Sequence, residues 1–106
     1  MSNNIHCPDA KLVKADPISS IYFYEKRDAS LVALVGEGHK FSLRDKDKEV
    51  GSIVPGSGWS GSIWVAKNCV GEYEFINNHY SVTPYKNGNK KASEQVHPLD
   101  YLLRFL

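Results

Sequence analysis

The sequence predicts a mainly β protein: a small antiparallel β-barrel or sandwich of about seven to eight short strands, closed by a short C-terminal α-helix. Runs rich in β-branched and aromatic residues recur from Ile18 onward, and turn residues separate them at intervals of roughly ten positions. The final segment instead carries leucines at helical spacing. At 106 residues and 42% apolar composition, the chain can bury one core. We therefore expect an N-terminal lead-in over 1–17, partly flexible, and a single β domain over 18–106.

The strand predictions follow from periodicity. The first two runs are apolar at nearly every position, which is typical of strands covered on both faces. The third alternates apolar and polar residues, which predicts one buried and one solvated face. The predicted strands cover residues 18–25, 30–35, 39–44, 49–54, 62–67, 72–76, 79–85 and 90–96.

Turn and helix signals complete the fold. Asn87-Gly88 favours a two-residue turn with positive φ at both positions, which predicts a hairpin. The segment 45–48 begins like a calcium-binding loop, but Val50 stands where such a loop needs glycine, so a solvated hairpin tip is the better interpretation. Pro98 suits a first helical position, and the leucines after it at i, i+3, i+4 and i+7 predict an amphipathic helix over 98–106.

The glycine-rich segment 56–61 matches the G-x-G-x-x-G pattern of dinucleotide-binding proteins. That pattern needs a helix after the loop, whereas the residues after Gly61 are β-branched and aromatic, so a flexible loop entering a strand is predicted instead. The nucleophile elbow G-x-S-x-G of serine hydrolases is also not met, because Ser62 stands where its last glycine belongs.

Trp59 lies at the centre of this loop with glycines on both sides. Two interpretations stay open: the indole folds back onto the core, or it offers a stacking surface to a ligand or partner. On the second interpretation, the candidate binding residues belong to the loop and the adjoining aromatic strands. They are Trp59, Trp64, Gly56, Gly58, Gly61, Tyr80 and Tyr85.

Other polar residues give weaker patterns. Glu72 and Glu74 should share one strand face about 7 Å apart, which suits either paired catalytic carboxylates or an ordinary polar outer face. The histidines and cysteines lack metal-ligand spacing, so no metal and no cofactor is expected. Cys7 and Cys69 are expected to be free thiols, because no export signal is seen.

The charge balance and the two ends of the sequence limit which partners and which location are expected. Lys and Arg number 13 against 12 Asp and Glu and the signs alternate locally, which argues against a nucleic-acid partner. Without a signal-like N-terminus or a long apolar run, we expect a cytoplasmic protein with no membrane segment.

The terminal helix carries more apolar residues than one face needs, which suggests a homodimer. That interface would comprise Leu99, Tyr101, Leu102, Phe105 and Leu106.

Three functional hypotheses follow. The first is a non-catalytic binding or accessory module that holds a protein partner or small ligand through the Trp59 loop and the neighbouring aromatic strands. The second is a small enzyme with an active-site pocket inside the barrel, because such pockets need no sequence signature. The third is a homo-oligomeric structural protein that associates through its C-terminal helix.

Overall fold

In the computed structural model, residues 10–106 are described, and their nine strands form one antiparallel sheet in which spatial order equals chain order. The strands are β1 Leu12–Asp16, β2 Ile21–Glu25, β3 Leu31–Glu37, β4 Lys40–Asp45, β5 Lys48–Pro55, β6 Ser60–Val65, β7 Asn68–Ile76, β8 His79–Lys86 and β9 Asn89–Lys90. One helix follows, α1 Pro98–Leu103. The predicted mainly antiparallel β class with a C-terminal helix is confirmed. The sheet is not closed, so the predicted barrel is not confirmed.

One face of the sheet, here called the helix face, carries the core. Successive cross-strand pairs on it are Leu34 with Leu43, Ile53 with Ile63 and Tyr73 with Val82, and cross-strand partners point to the same side of a sheet. All six are buried. Most of the remaining buried apolar residues come from β2, β3 and α1 and include Tyr24, Val32, Leu99 and Leu102, and Ala10 before β1 joins them.

Helix α1 lies on this face and contacts β5, β6 and β8. The chain enters it through His97, whose Nδ1 accepts a hydrogen bond from the Leu99 N–H at 3.1 Å, with Pro98 at the first turn. The helix was predicted to reach residue 106 but ends at Leu103. Beyond it, the N–H groups of Phe105 and Leu106 bond carbonyls three residues back, which is the tighter geometry common at helix ends.

Two hairpins repeat the same irregularity, although no repeat is evident in the sequence. Between β4 and β5 the register skips Val50, and between β6 and β7 it skips Val70, so each valine is the extra residue of a β-bulge. A glycine follows each bulge, at positions 51 and 71. A Cβ on Gly51 would lie 2.8 Å from Leu102 Cδ1. The bulge and glycine therefore leave the space in which α1 packs.

The first strand lies within the segment predicted as the N-terminal lead-in. Leu12–Asp16 forms edge strand β1, which pairs with β2. Its first four residues are exposed, and Val13 is skipped in the pairing with β2, so no regular apolar alternation marks the strand. Residues 1–9 of the predicted lead-in lie outside the described residues.

Two other predictions differ from the structure. β2 and β3 were predicted to be covered on both faces, yet only their helix-face residues are fully buried. The predicted strand over 90–96 is reduced to the short β9, and beyond it Glu94 alone bridges to Val82.

Candidate ligand-binding groove

The structure divides the predicted aromatic site between the two faces of the sheet. Trp59 packs on Phe75 with ring centroids 5.6 Å apart, and Phe75 packs edge-on against Tyr80 at 4.9 Å. Phe75 and Tyr80 are a cross-strand pair on the helix face. Half of the Trp59 surface stays exposed, at 49%. The Trp59 ring therefore packs on an aromatic neighbour and keeps about half of its surface exposed, so both interpretations of this residue stay open.

Trp64 and Tyr85 lie on the opposite face, here called the groove face. The Trp64 Nε1–H donates to Ser62 Oγ at 2.8 Å, and the Tyr85 hydroxyl donates to Glu72 Oε2 at 2.8 Å. Both aromatics are therefore engaged with polar groups of the sheet. The four predicted aromatic residues do not form one surface.

The loop glycines have different roles. Gly58 adopts a left-handed φ of 64° with open space around it, as a turn requires. Gly56 borders the groove described below. Gly61 is required by packing, because a Cβ there would lie 2.5 Å from the Val54 carbonyl oxygen and 2.5 Å from Tyr73 Cε2.

Polar side chains on the groove face form two registered rows across β6, β7 and β8. Ser60 pairs with Glu74, and Glu74 pairs with Ser81. Two residues along each strand, Ser62 pairs with Glu72, which pairs with Thr83. The rows are about 7 Å apart, since each strand advances two residues between them. These six residues are called the polar array below.

The polar array forms the floor of an open groove of about 490 Å³, bordered by the β5 end and by Gly56. Among the described residues, no lysine or arginine lines it. The groove therefore presents two carboxylates between hydroxyl groups and opens toward solvent.

The two carboxylates have different surroundings. Glu72 accepts the Tyr85 hydroxyl on Oε2 and pairs through Oε1 with Lys90 Nζ at 3.1 Å. The Tyr85 hydrogen bond, followed by that of Lys90, lowers the pKa of Glu72, and the same bond raises the pKa of Tyr85 to about 12. Within residues 10–106, the Glu74 carboxylate has no hydrogen-bond or ion-pair partner.

The Glu72 contacts predict a pH-dependent contribution to stability. A carboxyl whose folded pKa is depressed stabilises the fold above its unfolded pKa, and that contribution disappears as pH falls through the folded pKa. We expect Glu72→Gln to lower the free energy of unfolding by less than about 1 kcal/mol at pH 7, because the pair is exposed. The difference from wild type should vanish below the folded pKa. Thermal unfolding of both proteins between neutral and acidic pH measures this, and a constant difference would contradict the assignment.

Sequence analysis identified the glutamates of the array but missed its hydroxyls. The sequence does contain a pattern that could have located them, since three segments each carry two polar residues separated by one position. These are Ser60 and Ser62, Glu72 and Glu74, and Ser81 and Thr83. Each pair looks like an ordinary solvated strand face. Only the strand register shows that the three pairs are adjacent.

The remaining predicted sites are placed as follows. The side chains of Leu99, Tyr101 and Leu102 are buried within the chain, so exposed surface of the predicted dimer interface is confined mainly to Phe105, which is 46% exposed. Cys69 is a free thiol whose Sγ lies 3.4 Å from the Gly71 carbonyl oxygen, and Cys7 lies outside the described residues.

In the described part of the chain, no three histidine, cysteine or acidic side chains cluster as metal ligands would. Across that same part, the helical segment is too short and too mixed in polarity to span a bilayer. Comparison with known proteins adds no family: no family model matches the chain, and neither a curated protein nor a solved structure is significantly similar to it.

Proposed function

We propose that the chain is a non-catalytic binding module that holds a small polar ligand in the groove over the polar array. The supporting observation is the registered pair of rows, which places two carboxylates and four hydroxyls on one face of three adjacent strands. Convergent polar groups in a groove beside a packed scaffold are typical of ligand sites. The site retains Gly56 and Gly61 of the sequence hypothesis at its border, but Trp59 is not among its lining residues.

The electrostatics favour binding over carboxylate catalysis. An enzyme that uses two carboxyl groups typically keeps one protonated at neutral pH by raising its pKa. Glu72 has the opposite environment, because Tyr85 and Lys90 stabilise its ionised form. At the centre of the helix face, the side chains of Leu99 and Leu102 are fully buried.

Chemical-shift mapping tests the proposal without assuming a ligand. A panel of small amines, amino-acid amides, sugars and carboxylic acids would be added to uniformly ¹⁵N-labelled protein. We expect at least one class to shift amide signals of 60–62, 72–74 and 81–83 in a saturable manner. The amide signals of residues lining the charged groove between Lys11, Arg27 and Leu103 should not shift.

A blocking variant makes this test specific. Ser81→Tyr places a ring in the groove and should abolish the shifts, whereas Asp47→Tyr adds the same ring at the exposed β4–β5 turn and should leave them unchanged. Amide spectra of both variants establish that the fold is retained. The proposal fails if no class shifts the groove amides, or if the shifts survive in a folded Ser81→Tyr protein.

A further inference from the structure

We infer that the groove takes a ligand with a single positive charge, an ammonium or guanidinium group held at Glu74, and a hydrogen-bond acceptor held at Ser62. This inference rests on the proposed function of the groove. It is argued from which donors and acceptors of the polar array are already used within the chain.

The charge follows from the glutamates. Both oxygens of Glu72 have partners, and one of these is the cation Lys90, so this carboxylate is neutralised within the chain. Glu74 lies two residues beyond Glu72 on β7, and its carboxylate has no hydrogen-bond or ion-pair partner among the described residues. The groove therefore keeps one net negative charge, which matches a ligand with one cationic group.

The hydroxyls beside Glu74 favour an ammonium or guanidinium group. The Ser60 hydroxyl donates its proton to the Ser57 carbonyl oxygen at 3.0 Å, so its oxygen remains available to accept. Ser81 flanks Glu74 on the other side. An ammonium group has three donors and no acceptor, and this row offers it a carboxylate between two hydroxyl oxygens.

In the second row, Ser62 can donate a hydrogen bond to a ligand rather than accept one. Ser62 Oγ accepts the Trp64 indole N–H, so its own proton remains free to donate. Ser62 and Glu74 are diagonal neighbours on adjacent strands, so the ligand should carry an acceptor, such as a carbonyl, about 7–8 Å from its cation. The four-carbon stem of a lysine residue spans about this separation between the ammonium and the backbone carbonyl. A lysine residue, free or within a peptide, therefore has the required chemistry.

Trp64 supplies a reporter, because its indole contacts Ser62. In a Trp59→Phe protein, all tryptophan emission comes from Trp64, which excitation at the red edge of the absorption band separates from that of the tyrosines. Titration with Nα-acetyl-lysine methylamide should change this emission saturably. The Nε-acetylated analogue, which lacks the charge, and butylamine, which lacks the acceptor, should bind at least about tenfold more weakly. Free lysine in parallel distinguishes the sources, since a site for peptides should prefer the capped compound.

Two isosteric variants locate the charge. Glu74→Gln should weaken binding of the capped lysine by at least about tenfold, whereas Asp47→Asn makes the same change in net charge at a remote turn and should leave binding unchanged. Equal binding by Glu74→Gln, or by the Nε-acetylated analogue, overturns the inference. If other compounds still shift the groove amides and Ser81→Tyr still blocks them, the binding function survives that result. If nothing shifts those amides, both proposals fail.

Discussion

Gly61→Ala is expected to destabilise the protein by about 1–3 kcal/mol, or more if the strands cannot separate. The added methyl group would lie 2.5 Å from the Val54 carbonyl oxygen and 2.5 Å from the ring of Tyr73. The carbonyl belongs to the β5 backbone, and Tyr73 is buried, so neither neighbour can move without disturbing the core. Urea denaturation followed by circular dichroism measures the loss.

Gly36→Ala is the matched control for this substitution. Gly36 also lies on the helix face, opposite Phe41 in the β3–β4 pair, but a Cβ there would meet nothing within 4 Å. Alanine in an unstrained strand position is expected to be neutral or stabilising by up to about 1 kcal/mol. Similar losses from both substitutions would show that close packing is not what requires glycine at position 61.

Leu102→Ala is expected to lower the free energy of unfolding by about 2–5 kcal/mol. The side chain is fully buried and its Cδ1 occupies the space over Gly51. Truncation leaves a cavity between α1 and the sheet, which the backbone around the β4–β5 bulge cannot fill. Chemical denaturation at neutral pH measures the loss.

Phe105→Ala provides the comparison within the same terminal segment. Phe105 is 46% exposed, and its ring packs edge-on against that of Tyr101 with centroids 5.3 Å apart. Its removal should cost clearly less than that of Leu102, despite its larger side chain. Equal losses would indicate that the segment after Leu103 contributes as much to the core as the helix does.

Local chemistry made much of the fold predictable. Asn87 and Gly88 both have positive φ, as their turn signal indicates. The alternation in β7 correctly places Glu72 and Glu74 on one face, opposite Tyr73. These features depend only on residues that are neighbours in the chain, so they can be predicted from the local sequence.

Features that depend on distant contacts were not predictable in the same way. Gly61 looked like a loop residue because nothing near it in sequence reveals the Tyr73 ring that lies against it. The repeated bulges share only a Val-Gly pair, since Glu49 and Cys69 stand before the two valines. Whether the sheet closes depends on curvature and on how α1 fills its helix face, which residue periodicity does not encode.

The meander topology also bears on how the protein folds. Each strand pairs with its neighbour in the chain, so the sheet can assemble by successive closure of short loops, which is fast. Docking of α1 onto β5 and β6 closes a much longer loop and is expected to come later. Until α1 docks, the apolar residues that it covers are exposed to water. The species with an undocked helix is therefore the one most prone to aggregation.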